Sequence, residues 1–224
     1  MSYPRHPLSS PGPGSRTAPP QRDPMQLEMQ SDDPDPEALF GMLARAVAYG
    51  PIEPDVIHGA IAEAAQALTG ATGAALAIRH EGEFICCASS GQTAPALGAR
   101  LNVDSGISGE CLRTGKILRC NNTETDSRVD REVCRHLGLR SIVVVPVRDR
   151  NGPAGILEVF STRPYAFNEE HINYLARLAE IVEAARQQKA RTEKLPVRVA
   201  KIAENSISKR LRELRESFNV KTSD

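Results

Sequence analysis

Arg140-Ser141-Ile142-Val143-Val144-Val145-Pro146-Val147 is followed by Asp149-Arg150-Asn151-Gly152 and then by Ala154-Gly155-Ile156-Leu157-Glu158-Val159-Phe160-Ser161. A run so rich in β-branched residues reads as a strand covered on both faces, and its density of apolar residues places it at the centre of a sheet. The asparagine-glycine pair between the two runs predicts a tight hairpin turn. A second pair stands upstream, Ala74 to Arg79 and Glu83 to Ala88, joined by His80-Glu81-Gly82. Two hairpins in one chain predict an antiparallel sheet, and the helical segments at either end make the fold class α+β.

Outward from the sheet the period changes from two to that of a helix. Asp35-Pro36-Glu37 supplies a cap, a proline for the first turn and an acid, and Leu39, Phe40, Leu43, Ala46 and Val47 follow on one stripe, so a helix is expected over residues 37–50. Glu53-Pro54-Asp55 opens a second, Ala-rich helix whose Val56, Ile57, Ala60, Ile61, Ala64, Ala65 and Leu68 recur at three and four, up to Gly70. Its faces carry so little charge that burial in a bundle or in a dimer seam is expected. After Phe167-Asn168-Glu169-Glu170, a closing helix presents Ile172, Leu175, Ala176, Leu178, Ala179 and Val182.

Between the hairpins lie short and irregular elements. Asp104-Ser105 caps a short helix from Gly106 to Arg113, Lys116 to Cys120 reads as a short strand, and Asn121 to Asp130 is a polar loop. A further short helix carries Val133, Cys134 and Leu137 and ends at Gly138. Polar, irregular segments inserted between apolar strands are where binding groups sit.

The chain of 224 residues balances 28 Lys and Arg against 28 Asp and Glu, so no overall field draws it to nucleic acid or to an anionic membrane. The first ten residues hold no apolar run and no stretch reaches spanning length, which predicts a cytoplasmic protein without membrane contact. Five cysteines, Cys86, Cys87, Cys111, Cys120 and Cys134, are odd in number and lack paired CxxC spacing, so neither a disulfide framework nor a metal site is expected. Residues 1–36 hold nine of the sixteen prolines and read as a disordered leader. Residues 186–224 carry eleven Lys or Arg against five acids, and Val199, Ile202, Ala203, Ile207, Leu211, Leu214 and Phe218 fall at near-helical spacing, which predicts a basic amphipathic helical tail.

Four stretches carry a family resemblance: Gly106-Ile107-Ser108-Gly109-Glu110-Cys111, Gly115-Lys116-Ile117-Leu118, Arg140 to Val147, and Gly155 to Ser161 with Phe167 to Ala179. In this order the chain resembles the GAF domain family over residues 53–185. The resemblance implies a twisted antiparallel sheet of five to six strands, profilin-like and PAS-like, with terminal helices on one face and pocket loops on the other. It also implies a small-molecule ligand of unknown identity, and Cys120, Asp126, Arg128, Cys134, Ser141, Val143, Glu158 and Phe160 are expected to line its site. Arg128 is offered to an anionic group because its fork suits a carboxylate or phosphate. The alternative for Asp126, Ser127 and Arg128 is local: capping the short helix and forming solvated pairs.

Some members resemble free methionine-R-sulfoxide reductases, which need a nucleophilic and a resolving cysteine and nearby acids. Here Cys134 stands near the nucleophile, with Arg131, Arg135 and His136 able to activate a thiolate. Ser108 occupies the resolving position, and Ser141 and Phe160 stand where acids belong. The expected function is therefore a non-catalytic sensor or interaction domain that homodimerises through the Val56 to Leu68 and Ile172 to Val182 helices. The alternatives are a thiol redox enzyme using Cys134 and a regulator that binds DNA or a partner through the basic tail.

Overall fold

A computed structural model describes residues 35–49 and 53–192. The Pro-rich leader up to residue 34 and the basic tail from residue 193 lie outside the described residues. Helices α1 (Pro36–Tyr49) and α2 (Pro54–Thr69) come first, then strands β1 (Gly73–His80) and β2 (Glu83–Gly91). Helix α3 (Gly106–Thr114), strand β3 (Leu118–Cys120) and helix α4 (Arg131–His136) form the middle of the chain. The hairpin β4 (Ser141–Asp149) and β5 (Gly152–Ser161) precedes the closing helix α5 (Glu169–Thr192).

The five strands form one sheet in the order β2-β1-β5-β4-β3, every neighbouring pair antiparallel. The α+β class and the expected sheet of five to six strands are thus met with five. The apolar run in β4 is a central strand, paired on both sides, and β5 beside it is the middle one of the five. Residues 141–147 are all buried because both faces of β4 are covered, which depends on the layers above and below rather than on rank in the sheet. The turn differs from the expected one. Arg150 and Asn151 are its two loop residues, the Asn151 N–H bonds Asp149 Oδ1 at 2.7 Å, and Gly152, with φ 116°, is already the first residue of β5. Neither loop residue takes the positive φ of an asparagine-glycine turn; only the glycine does.

Alternation along β4 and β5 divides the interior in two. Val143, Val145 and Val147 with Leu157 and Val159 face a core built with Leu43 of α1, Ile57 and Ile61 of α2, and Leu175, Leu178 and Val182 of α5. The small side chains Ala60, Ala64 and Ala65 let α2 lie close in this layer. The apolar stripes of α2 and α5 that pointed to a bundle or seam are thus buried within the subunit's own helix layer. Helix α1 is tied to α5 by an Arg177–Glu37 ion pair, and the Arg177 guanidinium lies 3.9 Å from the Phe40 ring centroid.

On the opposite face, Ile142, Val144, Ile156 and Phe160 pack against Ile107, Cys111 and Leu112 of α3, Cys120 of β3 and Cys134 of α4. Helices therefore cover one face, while α3, α4 and the 121–130 loop drape the other.

Candidate functional site

On the loop face a carboxyl enters the interior. Helix α3 begins after Ser105 and turns Ile107, Cys111 and Leu112 toward the sheet. It approaches the preceding loop so closely that a Cβ on Gly109 would stand 2.6 Å from the Val103 carbonyl oxygen. Between Ile107 and Cys111 the Ser108 hydroxyl donates to Glu158 Oε1, in the middle strand β5. Glu158 is 5% exposed and pairs across the ladder with Ala75 of β1 and Val144 of β4. Burial pushes its carboxyl up to about 7, and the Ser108 hydrogen bond opposes that rise. Around it the Cys86 and Cys111 thiols are raised mainly by burial and secondarily by Glu158, Cys111 to about 12.

Asp126 and Arg128 form the second polar group. Arg128 Nε donates to Asp126 Oδ1 at 2.9 Å and Nη2 to Oδ2 at 2.6 Å, while Nη2 also reaches the Arg119 carbonyl at 2.8 Å. The Arg128 hydrogen bonds hold the Asp126 carboxyl down at about 2. The Arg128 fork is engaged by a carboxylate of its own loop. Cys120, buried beside this pair, has its thiol lifted to about 12 by burial first and by Asp126 second. Cys134, on α4, is lifted by burial and then by Asp130, which caps that helix by accepting from the Glu132 and Val133 N–H groups.

Six of the eight expected residues, Cys120, Asp126, Arg128, Cys134, Glu158 and Phe160, stand on the loop face or in the loop that covers it. Val143 does not: it belongs to the helix-side core, since successive strand residues point to opposite faces and Val144 takes the loop side. On the same alternation Ser141 falls on Val143's side, and its hydroxyl donates to the Arg163 carbonyl at 2.8 Å. Ser108, Cys86 and Cys111 were absent from the expected set; the spacing of Ile107, Ser108, Cys111 and Leu112 on one side of α3 is the signal for the first and last, and Cys86 is placed by its position in β2.

Among the described residues no three His, Cys, Asp or Glu side chains converge as metal ligands. Two clefts, of about 560 and 510 Å³, border α5 on the helix side; the first runs along α1 past Phe40 and Ile181, the second along Ile117, Pro146 and Ala179. Beneath α3, Ile107, Cys111 and Leu112 pack directly on the sheet. No described helix is long and apolar enough to cross a membrane.

An antiparallel five-stranded sheet with helices on one face and draped loops on the other defines a GAF-type module. A family model for the GAF domain matches residues 53–187, and the chain belongs to that family. Among solved structures, the chain is similar to free methionine-R-sulfoxide reductase from Neisseria meningitidis in complex with its substrate, at 17% identity and a TM-score of 0.60, over 70% of this chain and 91% of that one. It is equally similar to the GAF domain of a phosphoenolpyruvate-protein phosphotransferase from Coxiella burnetii, at 16% identity and 0.60, covering 74% and 100%. The GAF domain of the Acinetobacter phosphoenolpyruvate-protein phosphotransferase aligns at 15% identity and 0.59, covering 71% and 98%. At such identities the likeness is one of fold. None of the curated proteins matches the chain in sequence.

Proposed function

We propose that this GAF domain is a non-catalytic sensing module that takes a small molecule on the loop face of its sheet, with Glu158 as the buried polar anchor. The observation that carries this reading is Glu158 itself, enclosed in the middle of the sheet with Ser108 as its hydrogen-bond partner. A buried carboxyl with so little compensation is costly to the fold and is characteristic of functional sites. The ligand presents a hydrogen-bond donor to Glu158 and displaces part of α3, beneath which apolar side chains now fill the space.

A non-catalytic role is supported by the thiols. Cys120 and Cys134 are buried and shifted toward the protonated form, the opposite of an activated nucleophile. Transmission to a second copy uses the outward faces of α2 and α5, since their apolar stripes lie inside the subunit; a ligand that distinguishes two arrangements of those helices shifts the balance between them.

Native mass spectrometry of freshly purified full-length protein is expected to show a small-molecule adduct that disappears in Glu158→Gln. Turnover of free methionine sulfoxide that is lost in Cys134→Ser would overturn the non-catalytic reading in favour of a thiol enzyme. Light scattering on a sizing column tests the pairing, and a monomer at micromolar concentration removes it.

A further inference from the structure

Helix α3 is held to the sheet by the apolar side chains of Ile107 and Leu112, by the Cys111 thiol, which donates weakly to the Val144 carbonyl, by Arg148, which reaches the Gly115 carbonyl at the helix end, and by the Ser108 hydrogen bond to Glu158. That last contact is the regulated point of the site proposed above, and its behaviour does not require that any ligand exists. We infer that the seating of α3 over Glu158 is a proton-dependent latch: α3 stays seated while the Glu158 carboxyl carries its proton and lifts from the sheet when the proton leaves, because the Ser108 hydroxyl alone does not replace the water that an enclosed carboxylate needs.

The groups around Glu158 leave its charge uncompensated. Helix α3 faces it with Ser108 and Cys111, β2 with Cys86, β1 with Ala75 and β4 with Val144. Neither thiol offsets the carboxylate's charge: both are held neutral by burial, and a thiolate would only add like charge. Further along, Glu110 of α3 and Arg148 of β4 act on the Cys111 thiol, and the Arg148 guanidinium is hydrogen-bonded to the Gly115 carbonyl. An ionised carboxylate in this setting needs water, and the nearest way to admit it is to raise α3 from Ile142, Val144 and Ile156. Opening returns the carboxyl to solvent, where its affinity for the proton is the ordinary one of a glutamate. The proton is then released to solvent, and no other group need accept it.

The latch is read by amide hydrogen exchange of the dialysed full chain between pH 5 and pH 8, expressed as protection factors. Peptides covering α3 should lose protection by about tenfold or more across this range, levelling off above pH 7, and should stay less protected throughout than peptides from β4, whose protection follows global stability. In Glu158→Gln the α3 protection should be independent of pH. Ser108→Ala provides a second arm that keeps the acid in place: removing the donor that favours the ionised carboxylate moves the levelling-off to higher pH. Wild-type α3 protection that does not change with pH, or that equals that of β4 at every pH so that α3 opens only in global unfolding, overturns the latch, as does an unmoved profile in Ser108→Ala or an unchanged pH dependence in Glu158→Gln. Because the measurement uses protein without ligand, failure to find a bound molecule leaves its outcome unaffected.

Discussion

The two faces of one sheet are buried by different chemistry. On the helix side, Leu76, Leu157, Val143 and Val145 meet Leu43, Ile61, Leu175 and Leu178, an aliphatic layer of the kind that supplies most of a fold's stability. On the loop side the layer holds the thiols Cys86, Cys111, Cys120 and Cys134, and an acid, Glu158, lies within it. The first face is aliphatic at its centre; the second holds a group that prefers a state the fold resists. The difference separates two jobs, holding the domain together and letting part of it respond.

The sharpest way to break this comparison uses neighbours on β5 that point to opposite faces and are both fully buried, Ile156 and Leu157. Leu157→Ala should lower the unfolding free energy by about 4 kcal/mol, and Ile156→Ala by about 2 kcal/mol because α3 and its thiols can settle into the gap. Equal losses in urea unfolding would remove the distinction between a rigid and a yielding face.

Next in size is Glu158→Gln, expected to stabilise the protein by roughly 2 kcal/mol at pH 8. The sign follows from proton counting: between 4.5 and about 7 the folded protein keeps a proton that the unfolded chain has released. Wild-type stability therefore falls as pH rises through that window and is level above it. The variant should show no such slope from this site in a series of denaturation midpoints.

Asp126→Asn sharpens the contrast with a carboxylate of opposite behaviour. Its carboxyl is held at about 2 against an ordinary 3.8, so its contribution is complete above 3.8 and is lost as pH falls toward 2. The variant should cost about 1 kcal/mol at pH 7, discounted for the partly exposed Arg128, and nothing at pH 2. Smallest of all is Arg135→Ala, which breaks an exposed pair with Glu124 on the surface of α4 and should leave the thermal midpoint where it is.

The sheet was legible in the sequence because both hairpins alternate or run apolar between turn residues, and the helices because their stripes keep a strict period. The strand order was not, since the apolar run of β4 reports covered faces and says nothing of rank. Val143 shows the limit for the site: the β4 residues that read as pocket-lining straddle both faces, and only the register with β3 and β5 assigns Val144 rather than Val143 to the loop side. Arg128 shows another, because a free guanidinium and one already paired with Asp126 look alike in sequence. Ser108 was missed because it was weighed only as the residue in place of a resolving thiol, whereas its partner lies fifty residues away.

Strand β3 ends the sheet after only three residues, so the far half of β4, from Val145 onward, runs past it with no strand on its outer side among the described residues. Pro146 stands in that stretch without an N–H to donate, and Arg148 nearby carries a charge that an incoming strand would have to bury. Such an edge disfavours extension of the sheet by a strand of another chain.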